Sequence, residues 1–249
     1  MIPAWISETF WGATACAGVA LYGTFVPGCR LWGSVTSRGS GSAGEVALTF
    51  DDGPTQGGSD RILDRLGQLG VPATFFVIGR HVERHPALLR RMEGEGHTVG
   101  NHSYHHAHFG MFGGPRYWLN EITRTDELIA QAIGRRPALF RPPMGFLTWP
   151  IHRAARRTGH TVIAWSQRGR DGIVPNTDEI LRRLGNPRPG EIQLLHDGVD
   201  PHLKQAVDRS ATVAAIAPLV AAIRRAGMEF APLHRMLGIE AWQGEKSET

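Results

Sequence analysis

An alternation in the chain constrains its fold most: between residues 45 and 235, seven short apolar runs are separated by helical patterns. The runs have the length and the β-branched content of buried strands. Most helical patterns stop at a glycine, the preferred residue just beyond the last helical turn. The predicted strands are 45–50, 73–78, 98–100, 139–140, 161–165, 191–195 and 228–231, and the predicted helices are 59–69, 86–92, 116–133, 151–157, 178–184 and 211–226.

Strands that are joined by helices in this way pair in parallel. We therefore predict an α/β fold, a distorted (β/α)7 barrel with parallel strands and its active site at the C-terminal rim. An open, doubly wound parallel sheet is the alternative fold. The first strand-to-helix turn lacks the Gly-x-Gly-x-x-Gly pattern, which argues against a dinucleotide site.

Polar residues follow five of the predicted strands, at the end where a parallel sheet carries its site. Asp51 and Asp52 end the first run, and because neighbouring carboxylates repel each other, we expect a bound cation to stabilise them. The polar positions after the other four strands are 101–106, 141–145, Asp171 and 196–198. In a barrel these loops lie on one rim, so their side chains should converge.

His102 and His106 are four positions apart, so one helical turn places both imidazoles on the same side. With a carboxylate from the first strand they form a site with three protein ligands, which leaves coordination positions open for catalysis. Zinc in such a site lowers the pKa of its bound water to about 7. A chance pair is the alternative in a chain with 12 histidines, and His105 in place of His106 is a second one.

Other hydrolase classes lack their motifs in this sequence. A zincin protease needs Glu directly after its first histidine, where this chain has Ser103, and no Gly-x-Ser-x-Gly motif of a serine hydrolase occurs. His108 flanks the pair and, like His105, has no assigned role. We expect the remaining histidines to lie on the surface: His81, His85, His97, His152, His160, His202 and His234.

The formal net charge is +4, and its arginines are spread along the predicted helices. This pattern favours solvated helix faces, because a nucleic-acid site would need one basic stripe with aromatic residues. We therefore predict no nucleic-acid partner, whereas an anionic polymer stays open as a partner.

The first 44 residues form a lead segment that precedes the predicted domain. Residues 11–26 carry no charge, and we weigh three interpretations: a marginal membrane anchor, a weak secretion signal, or a segment packed on the domain. Residues 37–44 have the composition of a flexible linker, and residues 236–249 are predicted to be a tail. Cys16 and Cys29 pair only if the compartment is oxidising. We expect a location outside the cytoplasm or at a membrane, with a cytoplasmic one as the alternative.

At these positions the chain resembles the NodB-homology polysaccharide deacetylases, carbohydrate esterase family 4, over residues 45–235. The matching segments are Thr-Phe-Asp-Asp-Gly-Pro at 49–54, His-Ser-Tyr-His-His at 102–106, Arg-Pro-Pro at 141–143, Asp171, and Leu-Leu-His at 194–196.

The resemblance implies a role for each matching residue. It makes Asp51 the catalytic base, and it makes Asp52, His102 and His106 the ligands of a divalent metal, zinc first and cobalt, nickel or manganese as alternatives. The other implied roles are Arg141 holding the base, the Met144 N–H binding the oxyanion, Asp171 orienting the general acid His196, and Pro143, Leu194 and Tyr104 contacting substrate.

The implied reaction is hydrolysis of an N-acetyl, or alternatively an O-acetyl, group on an amino-sugar polymer such as peptidoglycan or a chitin-like glycan. Met144 and Gly172 depart from the family, which has aromatic residues at these positions, so sugar stacking is expected to be weaker. A non-catalytic glycan-binding module that keeps the metal is the alternative function. A non-haem Fe(II) oxygenase uses the same ligand types but usually a different fold.

Overall fold

The computed structural model describes residues 4–41, 44–173, 175–203 and 208–244. Residues 42 and 43 of the predicted linker lie outside the described residues, as do the first three residues of the lead and the last five of the predicted tail.

A curled sheet of parallel strands forms the centre of the molecule, and helices cover it, as the alternation predicts. The strands pair in the order β5-β4-β3-β2-β1-β7-β6, and β8 pairs with the start of β1. The sheet is a half-barrel, so the predicted α/β barrel-type fold is confirmed. In the described part of the chain its strands are β1 (Glu45–Asp51), β2 (Thr74–Val77), β3 (Thr98–Asn101), β4 (Leu139–Phe140), β5 (Thr161–Val162), β6 (Gln167–Arg168), β7 (Ile192–His196) and β8 (Glu229–Phe230).

The short strand β6 is the one strand of this sheet that the sequence pattern does not predict. Its two residues are polar and exposed, so they lack the apolar run on which a strand prediction depends. It pairs with β7 in parallel, Arg168 beside Leu194, and so adds a row at the rim.

Helices pack on the outer face of the sheet through apolar side chains such as Ile62, Leu66 and Ile216, which join Phe50 and Phe75 in one buried cluster. Most helices lie where the pattern predicts them, but α1, α3 and α9 were not predicted. The described helices are α1 (Ala4–Phe25), α2 (Ser59–Leu69), α3 (Gly79–Arg84), α4 (Pro86–Gly94), α5 (Pro115–Ile133), α6 (Trp149–Arg157), α7 (Thr177–Leu184), α8 (Ser210–Arg225) and α9 (Leu233–Leu237), with short 3-10 turns at Gly110–Phe112 and Pro143–Gly145.

The C-terminal end of α1 packs on the loop that leads into α6. The N–H of Leu147 donates to the carbonyl of Thr24 at 3.2 Å, and the ring of Phe25 meets that of Phe146 edge to face at 4.8 Å. No helix among the described residues combines the length and the apolarity that a membrane span requires. Both cysteines of the lead, Cys16 and Cys29, are free thiols.

The lead segment also pairs with the sheet at two places. Thr36 forms a parallel bridge with Ile163, just after β5, and Arg38 forms an antiparallel bridge with Glu191, just before β7. The Arg38 guanidinium also lies 3.2 Å from the buried Glu191 carboxylate. These residues therefore add backbone pairing next to β5, an end strand, and next to β7, whose neighbour β6 is the other end strand.

The predicted tail begins with structure of its own. Ala241 and Trp242 are buried, and the Ala138 N–H donates to the carbonyl of Ala241 just before β4. The chain therefore packs on the domain at least this far.

Candidate active site

A cavity of about 200 Å³ opens at the carboxyl ends of the strands. The strand register explains why the predicted residues meet there: Asp51 at the end of β1 pairs with His196 at the end of β7 on one side and with Phe76 of β2 on the other. Asp51, Asp52, His102, His106 and His196 all line this one cavity, so the convergence predicted for the loops is observed.

One side of the cavity, which we call the ligand wall, consists of Asp52, His102 and His106. All three are buried, and their ligand atoms lie within 4.8 Å of one another. Oδ1 of Asp52 lies 3.5 Å from Nε2 of His102 and 3.3 Å from Nε2 of His106. This carboxylate oxygen is buried without a hydrogen-bond partner, which is costly unless a cation satisfies it. The donor set therefore fits a divalent cation.

Hydrogen bonds fix the ring of His102 in a ligand-competent form. Its Nδ1 donates to the carbonyl of Arg141 at 2.7 Å, which leaves Nε2 free to face Asp52. Burial, helped by the neighbouring His106, lowers the pKa of His102 to about 3, so this ring is neutral at pH 7. Burial also acts to lower the pKa of His106, but the charges of Asp52 and Asp200 outweigh it and raise that pKa.

Two buried residues of α5 and β3 hold the loop between His102 and His106. Glu121 of α5 accepts from the N–H of His105 at 2.9 Å, and Oδ1 of Asn101 accepts from the N–H of Ser103 at 2.8 Å. Ser103 and His106 have left-handed backbones, with φ of 66° and 54°, which non-glycine residues rarely adopt. The helical turn predicted for His102 and His106 is therefore wrong. Hydrogen bonds from neighbouring elements fix a loop here, and the loop still brings both rings to the cavity.

Asp51 forms a buried ion pair with Arg141 beside the ligand wall. Nη1 of Arg141 donates to Oδ1 of Asp51 at 2.7 Å and to the Thr49 hydroxyl at 2.9 Å. The other carboxylate oxygen lies 3.7 Å from Nε2 of His102. Burial raises the pKa of Asp51, and the charge of Arg141 acts against that rise. The aspartate thus combines a fixed position with a raised proton affinity.

His196, which lines the cavity, forms a second hydrogen-bonded pair with the buried Asp171. Nδ1 of His196 lies 2.9 Å from Oδ1 of Asp171, whose Oδ2 accepts from the backbone N–H of His196 at 2.8 Å. Burial alone would lower the pKa of His196, but the charge and hydrogen bond of Asp171 outweigh it and raise the pKa to about 9. The imidazole is therefore protonated at neutral pH and can donate a proton.

The four residues predicted to bind the oxyanion or the substrate lie in different places. Met144, with a left-handed φ of 58°, and Leu194 line the cavity. Pro143 is buried in the turn beneath Met144. Tyr104 is not brought to the cavity, because its hydroxyl donates to Glu83 and Arg124 stacks on its ring, so its location does not support a substrate contact.

Sequence reasoning missed Asp200, which faces the second ligand histidine. Its Oδ2 lies 3.6 Å from Nδ1 of His106 and 2.5 Å from Nε2 of His108, and His106, His108 and Asp200 form a second group with metal-ligand geometry. No spacing rule connects Asp200 with His108, because 92 positions separate them. The hydrogen bond to His108 is a consequence of this carboxylate, and the raised pKa of His106 is a consequence of Asp52 first and of Asp200 second.

Three histidines predicted to lie on the surface are buried, which corrects that prediction: His81, His97 and His160. His81 contributes to the site, since its Nδ1 lies 2.8 Å from the carbonyl oxygen of Asp52 and so holds the backbone of a ligand-wall residue. Nε2 of His160 lies 3.2 Å from Oδ1 of Asp126, and Asp126 in turn accepts from Asn101. The residues that flank these histidines in the sequence do not indicate that the histidines are buried, because their partners, such as Asp52 and Asp126, lie far away in the chain.

Another part of the cavity lining is more exposed, and we call it the open wall. It consists of Arg168, Arg170, Gly172, Ile173 and Leu203. Ile173 is 72% exposed and Leu203 is 42% exposed, in contrast to the buried ligand wall.

Comparison with known proteins identifies relatives over most of the chain. The sequence model of the family described as "Polysaccharide deacetylase" matches residues 38–163. A peptidoglycan-N-acetylglucosamine deacetylase of Bacillus cereus is 33% identical over 195 residues, which are 77% of this chain and 87% of the relative. A chitooligosaccharide deacetylase of Bradyrhizobium sp. is 38% identical over 213 residues, which are 83% of this chain and 94% of the relative.

Solved structures agree with these sequence relatives. A crystal structure of a peptidoglycan N-acetylglucosamine deacetylase superposes with a TM-score of 0.76 and 30% identity, covering 83% of this chain and 94% of that one. A family 4 carbohydrate esterase from Streptomyces lividans, in complex with acetate, superposes with a TM-score of 0.68 and 32% identity, covering 75% and 91%.

Proposed function

The chain belongs to the polysaccharide deacetylase family, and on this premise we propose that it hydrolyses N-acetyl groups on an amino-sugar polymer with the help of a divalent cation. The observation that carries the proposal is the arrangement around the cavity: a buried carboxylate and a protonated imidazole flank a group of three cation ligands. The printed activities of the relatives, on peptidoglycan and on chitooligosaccharides, support this substrate class.

The ligand wall is the proposed cation site, with Asp52, His102 and His106 as the three protein ligands. The partnerless Oδ1 of Asp52 and the neutral ring of His102 support this assignment. A bound divalent cation supplies Lewis-acid polarisation of the acetyl carbonyl and of water, and we expect zinc, with cobalt, nickel and manganese as the alternatives.

Asp51 is the proposed general base for the attacking water. Its ion pair with Arg141 fixes the carboxylate beside the ligand wall, and its burial raises its affinity for the proton that it accepts. Arg141, whose guanidinium is fully buried, keeps the negative charge of Asp51 compensated before the proton is transferred.

Met144 is the proposed donor to the oxyanion, through its backbone N–H. The turn Pro143–Gly145 lies at the cavity, and a backbone donor does not depend on which side chain it carries. Removing one well-placed oxyanion donor costs roughly 2.7–4 kcal/mol in other enzymes.

His196 is the proposed general acid that protonates the leaving amine. Its raised pKa keeps it protonated at neutral pH, and Asp171 fixes the ring through two hydrogen bonds. The proton that Asp51 takes and the proton that His196 gives together convert the amide and one water into acetate and an amine.

The test is acetate release from a panel of peptidoglycan, chitooligosaccharide and acetylated xylan, with the protein loaded with each of several divalent metals. We expect metal-dependent release, and we expect Asp51→Asn to lower it by about 10²–10⁴-fold while the metal stays bound. Asp64→Asn, at an exposed position on α2 outside this cavity, is the matched control and should keep full activity.

Three results would contradict the proposal. Full activity of Asp51→Asn would remove Asp51 from the role of base. Binding of the glycans without any acetate release would support the non-catalytic module, and oxygen consumption by an iron-loaded protein would support the oxygenase.

A further inference from the structure

We infer that Arg168 and Arg170 bind a carboxylate of the glycan beside the acetylated sugar, so that the site prefers anionic over neutral amino-sugar polymers. The inference rests on the proposed function for its substrate class. It concerns the open wall of the cavity, which takes no part in the proposed chemical step.

The strand register places Arg168 toward the site. Arg168 pairs with Leu194, and paired residues of neighbouring strands share a face of the sheet. Leu194 lines the cavity, whereas Gly169 lies on the other face, where a Cβ would come within 2.5 Å of Leu195 Cδ2. Arg170 lies beyond the end of β6, with a left-handed φ of 63°, and lines the same cavity as Arg168 and Asp52.

The distance from the ligand wall suits a neighbouring sugar rather than the reacting acetyl group. Arg168 pairs with Leu194 of β7, and Leu194 pairs with Thr49 of β1, so the Arg168 backbone lies two strand spacings from that of Thr49. Two spacings are about 10 Å. Arg168 therefore lies to the side of the strand that ends at Asp51 and Asp52, where a sugar next to the reacting one would lie.

The charges of the cavity leave these two cations uncompensated. Asp51 is paired with Arg141 and Asp200 with His108, while Asp52 faces the two ligand histidines. Among the described residues neither guanidinium of the open wall has a hydrogen-bond or ion-pair partner, and both side chains are exposed. The cavity mouth is therefore positive.

Arg209, the other arginine that lines the cavity, serves as a contrast. It is buried, and its guanidinium donates to the carbonyls of Gly198 and Asp171, so it is committed to the protein. The two exposed arginines keep their planar donor groups free, and a guanidinium matches a carboxylate in geometry and charge.

Two positions of the cavity lining offer no ring on which a neutral sugar could stack. Gly172 and Met144 both line the cavity, so among these lining residues stacking is left to Trp165. At Gly172 even a Cβ would lie 3.0 Å from the His196 ring, which leaves this part of the open wall free of side chain. Attraction between charges can replace stacking as the means of holding the polymer.

The test compares kcat/KM of the metal-loaded full chain on three substrates of equal length: glycan strands with free lactyl carboxylates, the same strands after amidation, and neutral chitooligosaccharide. We expect Arg168→Gln/Arg170→Gln to lower kcat/KM about tenfold on the carboxylated strands, at the upper end for two partly screened ion pairs. The values on the amidated and neutral substrates should stay within about twofold. A fourth substrate, glycan strands that keep their stem peptides, shows whether the arginines bind a carboxylate of the sugar or one of the peptide.

The control is Arg156→Gln/Arg157→Gln, which removes the same charge from the exposed surface of α6 outside this cavity. An equal loss in the control, an equal loss on all substrates, or no loss on carboxylated strands would each overturn the inference. Arg168→Lys/Arg170→Lys should recover part of the activity on the carboxylated strands.

Binding of the same substrates to metal-loaded Asp51→Asn separates this inference from the proposed function. We expect Asp51→Asn to bind carboxylated strands more tightly than amidated ones, and we expect the triple variant Asp51→Asn/Arg168→Gln/Arg170→Gln to lose this difference. Such a result supports carboxylate binding by the two arginines even if the wild-type chain releases no acetate. Acetate release with equal binding of both strands contradicts the arginines and leaves the proposed function intact.

Discussion

The ligand wall and the open wall line one cavity, yet their side chains are held in different ways. In the ligand wall all three residues are buried. The ring of His102 donates a hydrogen bond to the carbonyl of Arg141, and the ring of His81 donates one to the carbonyl of Asp52. In the open wall the arginines have no partner among the described residues, and Ile173 and Leu203 are largely exposed.

This difference separates two tasks of the site. Acyl transfer needs groups that are fixed before the reaction, because their orientation is part of the rate enhancement. Selection among glycans needs groups at the mouth that can differ between relatives without disturbing the chemistry. Changes in the ligand wall should therefore affect all substrates equally, and changes of the two arginines in the open wall should distinguish between them.

The largest effect is expected from His102→Ala, which removes a side chain of the ligand wall. A changed outer partner of a metal ligand typically costs 10–100-fold in metal affinity, so loss of the ligand itself should cost more than about 100-fold. Acetate release should disappear on every substrate. Metal content after dialysis and calorimetric titration with zinc are the measurements.

The control is His105→Ala, in the same loop, whose ring binds Glu121 and is half exposed. It should keep the metal, and loss of metal from this variant instead would favour His105 as the ligand.

An intermediate effect is expected from Asp171→Asn, which removes the negative charge beside His196. The charge of Asp171 holds the pKa of His196 at about 9, so the protonated acid is lost as the pH rises through that value. Without the charge the pKa falls, and the alkaline limb of kcat should move about one to three units toward lower pH. The measurement is kcat against pH for the zinc-loaded protein.

Thr212→Val is the matched control for this shift. It removes the hydroxyl that donates to Asp171 at 2.8 Å but leaves the carboxylate charge in place. The limb should hardly move in this variant. An unmoved limb in Asp171→Asn would show that His196 is not the acid.

The smallest effect is expected from Gly172→Ala in the open wall. The new Cβ would lie 3.0 Å from Cε1 of His196 and so displace the imidazole by a few tenths of an ångström. A displacement of this size should lower kcat about threefold to tenfold, with zinc affinity unchanged. A loss of zinc instead would mean that the two walls are not independent.

The sequence predicts most of the sheet because its strands are continuous apolar runs. Residues 45–50 and 191–195 are buried on both faces, and such strands cannot be mistaken for solvent-exposed loops. β6 escapes prediction because its residues are polar and exposed, although Arg168 lies at the rim of the site. A strand at a rim owes its place to its neighbour and not to its own composition.

The candidate site is predictable where one local segment carries it. Asp51 with Asp52, and His102 with His106, come together through short spacings, and the structure brings both pairs to one cavity. The supporting residues are less predictable, because Asp200 meets His108 across 92 positions and Glu121 meets His105 from another element. Tyr104 shows the opposite failure: it lies inside a motif, but its side chain points to Glu83 and not to the cavity.

The bridges of Thr36 and Arg38 have a practical consequence for the N-terminal boundary of the domain. Both residues precede the segment where the domain was predicted to begin, yet they pair with residues next to β5 and β7. A protein shortened to residue 45 would leave unpaired backbone donors and acceptors there, and exposed strand edges recruit other chains. We therefore expect a fragment that lacks Thr36 and Arg38 to associate with itself more readily than one that includes them.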